Sequence, residues 1–111
     1  MTDLKEKKCI PCEAGGVDPL SREEAERLLT EVEDWKLNEK ATGIYKDFTF
    51  KDFVKAMDFV SMVADRAEQE GHHPDIHISY NKVHLELSTH AIGGLSENDF
   101  IVAAKINQIR L

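Results

Sequence analysis

The segment from Ile76 to Leu87 alternates apolar and polar side chains on both sides of Asn81-Lys82. A period of two is typical of β-strands, and Asn tolerates the positive φ of a tight turn. We therefore predict a β-hairpin that turns at Asn81-Lys82 and places Ile78 opposite Leu85. In this register one face of the hairpin is apolar and the other is polar.

A shorter helix and another hairpin precede this segment. Ser21 and Glu24 form the pattern of a capping box, which predicts a helix over residues 22–33. Alternating side chains over residues 35–48, interrupted at 38–43, then predict two strands and their turn. The chain therefore begins its ordered part as a helix followed by a hairpin.

A long helix is predicted over residues 50–70, because apolar residues recur there at steps of three and four. Thr49 or Asp47 is expected to cap it, and Gly71 to end it. The stripe expected to face the core consists of Phe50, Phe53, Met57, Val60, Ala64 and Ala67. Lining a cofactor groove is the less favoured interpretation of this stripe.

The last predicted helix runs from Ser96 to about Ile109 and is apolar over a wide arc, which indicates a subunit contact beyond the core. The resulting order is helix, hairpin, helix, hairpin, helix. We predict an α+β fold in which helices cover one face of an antiparallel sheet.

The length of 111 residues allows one domain, which we place at residues 20–111 after a flexible lead-in over 1–19. Cys9 and Cys12 lie in that lead-in. They are the only cysteines, and free thiols are expected rather than a disulfide or a redox or metal site.

Charge and hydropathy exclude several classes of partner. The net charge of -7 repels phosphate backbones, so sequence-independent nucleic-acid binding is not expected. No apolar run is long enough for a membrane span, and the first residues lack the apolar region of a signal peptide. The expected location is the cytoplasm.

All five histidines lie between His72 and His90. Extending the hairpin ladder places His73 opposite His90 at its open end, with His72 beside them. Glu68, near the end of the long helix, and Asp99, in the first turn of the last helix, reach the same corner. Three imidazoles and one or two carboxylates are therefore expected to converge.

Each of these residues also has a purely structural interpretation. His77 and His84 on the polar sheet face are expected at the surface or a subunit interface. Asp99 can be only a capping acid behind Ser96, and Glu68 only a solvated helix residue. If the cluster is functional, three histidines suit a zinc site, but a metal-free acid/base site is the simpler chemistry because imidazoles titrate near neutral pH.

The spacing Glu68-x3-His72-His73-Pro74-x5-Tyr80-x9-His90-x8-Asp99 resembles the signature of the pterin-4a-carbinolamine dehydratases. The stretches EGHHPDIHISYNKVHLELSTH and GLSENDF support the match. It extends from Leu20 to the C-terminus. The resemblance implies a four-stranded antiparallel sheet with helices on one face, assembled into homodimers or homotetramers.

The resemblance also implies 4a-hydroxytetrahydrobiopterin dehydratase activity without a metal or cofactor. His72, His73 and His90 would be the active-site histidines, with His72 and His90 in proton transfer and His73 positioning the pterin. Asp99 would orient an imidazole, and Glu68 would act only from outside the pocket. The pterin-binding residues implied are His72, His73, Pro74, Thr89, His90, Ala91 and Ile92.

Other roles stay open on the same fold. Some members of the family bind a homeodomain transcription factor as coactivators, and others help to assemble a plant-type carboxylase without catalytic histidines. A pterin enzyme of a molybdopterin pathway is a third possibility. Because the full histidine set is present here, the enzyme hypothesis is preferred.

Overall fold

Helix and strand positions follow the predicted order in the computed structural model, which describes Leu4 and residues 18–109. The elements are α1 (Arg22–Leu29), β1 (Lys36–Leu37), β2 (Ile44–Thr49), α2 (Phe53–Glu70), β3 (Asp75–Ser79), β4 (Lys82–Leu87), a 3-10 helix (His90–Ile92) and α3 (Glu97–Asn107). The Cys9 and Cys12 predictions lie outside the described residues.

The four strands form one antiparallel sheet in the order β1-β2-β4-β3. Ile44, Val83 and Leu85 are buried on one face of this sheet, whereas their sequence neighbours Tyr45 and His84 lie on the other face and are partly exposed. Helices α2 and α3 pack on the apolar face. The predicted α+β class, with helices on one face of a four-stranded sheet, is confirmed.

The α1 capping box is confirmed in both directions. Ser21 Oγ accepts from the Glu24 backbone N–H at 3.2 Å, and the Glu24 carboxylate accepts from the Ser21 N–H at 3.1 Å. The pKa of Glu24 is lowered, first because the Ser21 backbone N–H donates to its carboxylate and second because the Ser21 side chain also favours the ionised form. The helix itself ends at Leu29, four residues earlier than predicted.

Helix α2 begins later than expected and turns a different face inward. Asp52 caps it by accepting from the Lys55 N–H at 2.9 Å, so the prediction of Thr49 or Asp47 is wrong. Both of those residues belong to β2. The buried residues of α2 are Ala56, Phe59, Val63 and Ala67. Phe53 and Met57, predicted to face the core, are exposed.

Helix α3 contributes its apolar arc to the core of its own chain. Phe100, Val102 and Ile106 are fully buried there. The predicted subunit contact through this arc is therefore wrong, because these side chains pack beneath the sheet and against α2. Leu4 is buried in the same core.

The second hairpin turns at Tyr80-Asn81, one position before the prediction. Ile78 pairs with Val83, and His77 pairs with His84. Asn81 is tied to Phe50, since its side-chain amide donates to the Phe50 carbonyl at 2.9 Å and its own carbonyl accepts from the Phe50 N–H at 2.8 Å. Tyr80 takes the positive φ of 53° that the turn requires.

The register is shifted by two residues, so every side chain keeps its predicted face. The ladder begins at Asp75 opposite Glu86, and neither His73 nor His90 belongs to it. The predicted pairing of His73 with His90 across the ladder is therefore wrong. Both residues lie beyond the ends of the strands that they flank.

Candidate active site

His72 is held at the point where α2 ends. Gly71 adopts the left-handed conformation with φ of 65°, and the His72 N–H then bonds back to the Ala67 carbonyl at 3.2 Å. Pro74 prevents the helix from continuing. The chain reverses here, and the His72 imidazole points toward the first turn of α3.

The His72 imidazole meets a buried carboxylate. His72 Nε2 lies 2.6 Å from Asp99 Oδ1, and the side chains are 14% and 0% exposed. A contact this short has the geometry of a charge-assisted hydrogen bond. Because a carboxylate only accepts, the proton of a neutral His72 resides on Nε2, and Nδ1 keeps its lone pair.

Asp99 makes the contacts that both of its predicted roles require. Its Oδ1 faces His72, while its Oδ2 accepts from the Ser96 N–H at 3.0 Å and from Thr89 Oγ1 at 2.8 Å. One oxygen of the carboxylate therefore caps α3 while the other contacts His72, so the two predicted roles are compatible.

Thr89 reaches Asp99 from a tight loop between β4 and α3. The Thr89 N–H donates to the Gly94 carbonyl at 2.8 Å, and the two residues form an isolated antiparallel bridge. Gly93 takes a positive φ of 70° inside this loop. Gly94 packs against Pro19, where an added Cβ would lie 2.8 Å from Pro19 Cβ.

His73 makes a separate contact at the protein surface and does not take part in the buried His72–Asp99 pair. Its Nε2 is 2.6 Å from Glu68 Oε2 on α2, and the two side chains are 59% and 77% exposed. Glu68 thus reaches the predicted corner, where it contacts His73 and not His72. An ion pair this exposed contributes little to stability.

His90 begins the 3-10 helix directly after Thr89, so the same loop carries the Asp99 contact and the third histidine of the motif. His90 and Ala91 are exposed, whereas Pro74 and Ile92 are half-buried. The chain order therefore places a solvent-accessible imidazole next to the residue that anchors Asp99.

The remaining two histidines lie on the polar face of the sheet, as predicted. His84 Nδ1 is 2.6 Å from Asp47 Oδ1, and its ring stacks on Tyr45 with centroids 5.6 Å apart. The His77 ring lies 5.9 Å from that of His84. Within residues 18–109, no three ligand-type side chains are grouped so that they could hold a metal ion.

The family resemblance predicts Thr89 only as a pterin-binding residue, and the sequence pattern does not place Ser96 in the site. The Ser96-x-x-Asp99 spacing was visible as a capping box, but the contact of Thr89 with both residues depends on the loop closure at Gly94. A polar residue directly before the last motif histidine was the available signal.

The comparisons with known proteins all indicate the same family. Residues 18–109 match the sequence profile of the family described as pterin 4 alpha carbinolamine dehydratase. A protein of Rickettsia canadensis (strain McKiel), provisionally named as this dehydratase, is 53% identical over 107 residues, which is 96% of each chain. Pterin-4-alpha-carbinolamine dehydratase 2, mitochondrial, from Arabidopsis thaliana is 46% identical over 100% of this chain and 61% of its own.

Two solved structures share the fold. A transcriptional coactivator/pterin dehydratase from Brucella melitensis superposes with a TM-score of 0.76 at 33% identity, covering 81% of this chain and 96% of its own. A pterin dehydratase-like protein identified as a RuBisCO assembly factor in the alpha-carboxysome gives 0.58 at 23% identity, over 67% and 86%. The second likeness concerns the fold alone.

The chain belongs to the pterin 4 alpha carbinolamine dehydratase family. The relatives' names support a dehydratase, an enzyme of the lyase class. No helix in the described part of the chain is long and apolar enough to cross a membrane.

Proposed function

We propose that this protein removes water from a pterin 4a-carbinolamine, with the His72–Asp99 pair as its central acid/base group. The observation that carries the proposal is the 2.6 Å contact between His72 Nε2 and the fully buried Asp99 Oδ1 in a member of this family. That contact fixes which ring nitrogen of His72 can take up a proton.

The chemistry requires two proton movements. In the substrate, the C4a–O bond breaks, the N5 proton is lost, and the N5 electron pair forms a double bond to C4a. The hydroxyl group leaves as water only if it receives a proton. A base near N5 and an acid near the 4a-oxygen therefore both lower the barrier, and each raises the rate by a factor of about 10²–10⁴.

We assign proton transfer to His72 and His90. A neutral His72 accepts a proton at Nδ1, and the resulting cation is stabilised by Asp99 through Nε2. His90, which is exposed on the following loop, serves as the second proton-transfer group. In this assignment His72 is the base, and His90 is the acid that protonates the departing hydroxyl group.

The remaining motif residues bind the substrate in this proposal. His73, whose Nε2 contacts the Glu68 carboxylate, positions the pterin ring. Backbone groups at Pro74 and from Thr89 to Ile92 line the pocket. No cofactor or metal is assigned, since proton transfer by imidazoles accounts for the whole reaction.

Two histidine substitutions in a dehydration assay test this assignment. Replacing His72 or His90 by Ala should lower kcat/KM at least about 10²-fold, the usual scale of general acid/base catalysis. His77→Ala is the matched control, because His77 lies on the polar sheet face. Equal losses in His72→Ala and His77→Ala would contradict the assignment, and activity that disappears with a chelator would contradict the metal-free reaction.

The biological role that we propose is recycling of the pterin cofactor of aromatic amino-acid hydroxylases in the cytoplasm. Adding the protein to a phenylalanine hydroxylase reaction with limiting tetrahydropterin should sustain turnover. No effect on that turnover would favour another pterin pathway. The name of the Arabidopsis relative places that protein in mitochondria.

We also propose that the chain forms a homodimer or homotetramer. Several large apolar side chains are exposed in the single chain, namely Phe53, Val54, Met57, Met62, Ile78 and Tyr80. Exposed apolar groups in such number are typical of a protein contact. Light scattering after size exclusion should give two or four chains, and fewer for Met57→Lys, whereas a wild-type monomer would contradict the proposal.

A second candidate function is binding of a protein partner. The same exposed side chains favour it, and the Brucella melitensis relative is described as a transcriptional coactivator as well as a pterin dehydratase. A partner that stays bound to the His72→Ala/His90→Ala double variant would support this function. Loss of the partner in that variant would contradict binding outside the active site.

A further inference from the structure

A chain of buried hydroxyl groups lies behind Asp99. Thr89 and Ser96 are 4% and 6% exposed, and Asp99 is fully buried. Thr89 Oγ1 lies 2.8 Å from Asp99 Oδ2 and 2.8 Å from Ser96 Oγ. The Thr89 hydroxyl is thus the link between the cap of α3 and the carboxylate that faces His72.

The direction of this chain follows from proton counting. An ionised carboxylate can only accept, so Thr89 donates its single hydroxyl proton to Asp99 Oδ2. The Ser96 hydroxyl must then donate to Thr89 Oγ1, because Thr89 has no second proton to give. Two donors, the Thr89 hydroxyl and the Ser96 N–H, therefore hold Oδ2, and Oδ1 is left for His72.

We infer that the Thr89 side chain is a positioning residue, which acts through Asp99 to hold His72 in the Nε2–H tautomer. This inference rests on the proposed function for its effect on turnover. The carboxylate torsion of Asp has a broad, roughly two-fold preference, so a single anchor leaves Asp99 freer to rotate. Loss of the Thr89 hydroxyl removes one anchor of Asp99 and breaks the contact between Thr89 and the Ser96 hydroxyl.

The test compares Thr89→Val, which keeps the shape and removes the hydroxyl, with Thr89→Ser, which restores it. Thr89→Val should lower kcat roughly 10-fold or more with little change in KM. A loss of this size is what the removal of one hydrogen bond to a charged group typically causes. Thr89→Ser should recover most of the loss. Thr30→Val is the control, since Thr30 donates a similar bond, 2.7 Å to Arg27 O, at the exposed end of α1.

Nitrogen NMR of the His72 ring separates this inference from the proposed function. In the wild type, Nε2 should carry the proton and Nδ1 should not, whether or not the protein is a dehydratase. Thr89→Val should mix the two tautomers or broaden the Nε2–H signal, and Thr89→Ser should not. Ser96→Ala, which retains the backbone cap, should change kcat in the same direction if Thr89→Val fails to fold.

An unchanged Nε2–H signal and an unchanged kcat in folded Thr89→Val would overturn the inference. So would a loss that Thr89→Ser does not restore, because the hydroxyl would then not be its cause. An inactive wild type with the expected tautomer change would overturn the proposed function and leave the positioning role of Thr89 supported.

Discussion

Replacement of Asp99 by Asn changes the acid/base pair while keeping its shape. The Ser96 N–H and the Thr89 hydroxyl both need an acceptor, so the amide oxygen takes the place of Oδ2. The amide NH₂ then faces His72 Nε2 at the former 2.6 Å contact. His72 must accept there, which moves its own proton to Nδ1 and removes the base.

The expected loss of activity is much larger than the loss of stability. An Asp→Asn change that imposes the wrong tautomer lowers kcat by about 10⁴ in the serine protease triad, and we expect at least about 10² here. Three hydrogen bonds change from charged to neutral, each losing about 1 kcal/mol, which gives about 3 kcal/mol of stability. Asp99→Ala would instead leave three donors without an acceptor, at about 3–9 kcal/mol, which approaches the stability of a whole domain.

The assay measures kcat for carbinolamine dehydration, together with urea unfolding to verify that the variant is folded. Asp47→Asn is the matched control, because Asp47 makes the same 2.6 Å carboxylate–imidazole contact with His84 on the polar sheet face. Asp99→Asn should be nearly inactive and Asp47→Asn nearly normal. A folded Asp99→Asn variant within about 10-fold of wild-type activity would refute the reasoning.

Three further predictions concern stability and are all measured by urea unfolding. Leu85→Ala should lower the free energy of unfolding by about 2–5 kcal/mol, because Leu85 is fully buried. Gly94→Ala should lower it by about 1–3 kcal/mol, because the new Cβ would lie 2.8 Å from Pro19 Cβ. An unchanged free energy of unfolding in either variant would contradict its packing argument. Burial lowers the pKa of Lys46 below 10.5, so the unfolded chain holds more protons between the two values. Wild-type stability relative to Lys46→Met should therefore rise as pH increases through that window, and a constant difference would contradict this.

Local signals accounted for much of the fold. Capping patterns at Ser21 and Ser96, the stop at Gly71 and the period changes between segments each depend on neighbouring residues, so the sequence contains them directly. The hairpin turn was misplaced because it depends on the distant tie between Asn81 and Phe50. A two-residue slip leaves every side chain on its face, so the apolar pattern alone does not distinguish the two registers.

The inward face of α2 is a second feature that the apolar pattern alone does not determine. Its apolar residues cover more than one stripe, and the sequence offers no criterion for choosing the stripe around Phe59 over that of Phe53 and Met57.

In the candidate site, the contact between His72 and Asp99 matches one of the two roles predicted for the carboxylate. The hydroxyl of Thr89 was not foreseen, because its position depends on the loop that closes at Gly94.

The most direct test of the central claim is the rate at which the purified wild-type protein dehydrates a pterin 4a-carbinolamine at neutral pH. We expect a rate proportional to protein concentration, well above that of buffer alone and unchanged by a chelator. A rate no faster than that of the buffer-catalysed reaction would contradict the claim that this chain is a pterin carbinolamine dehydratase.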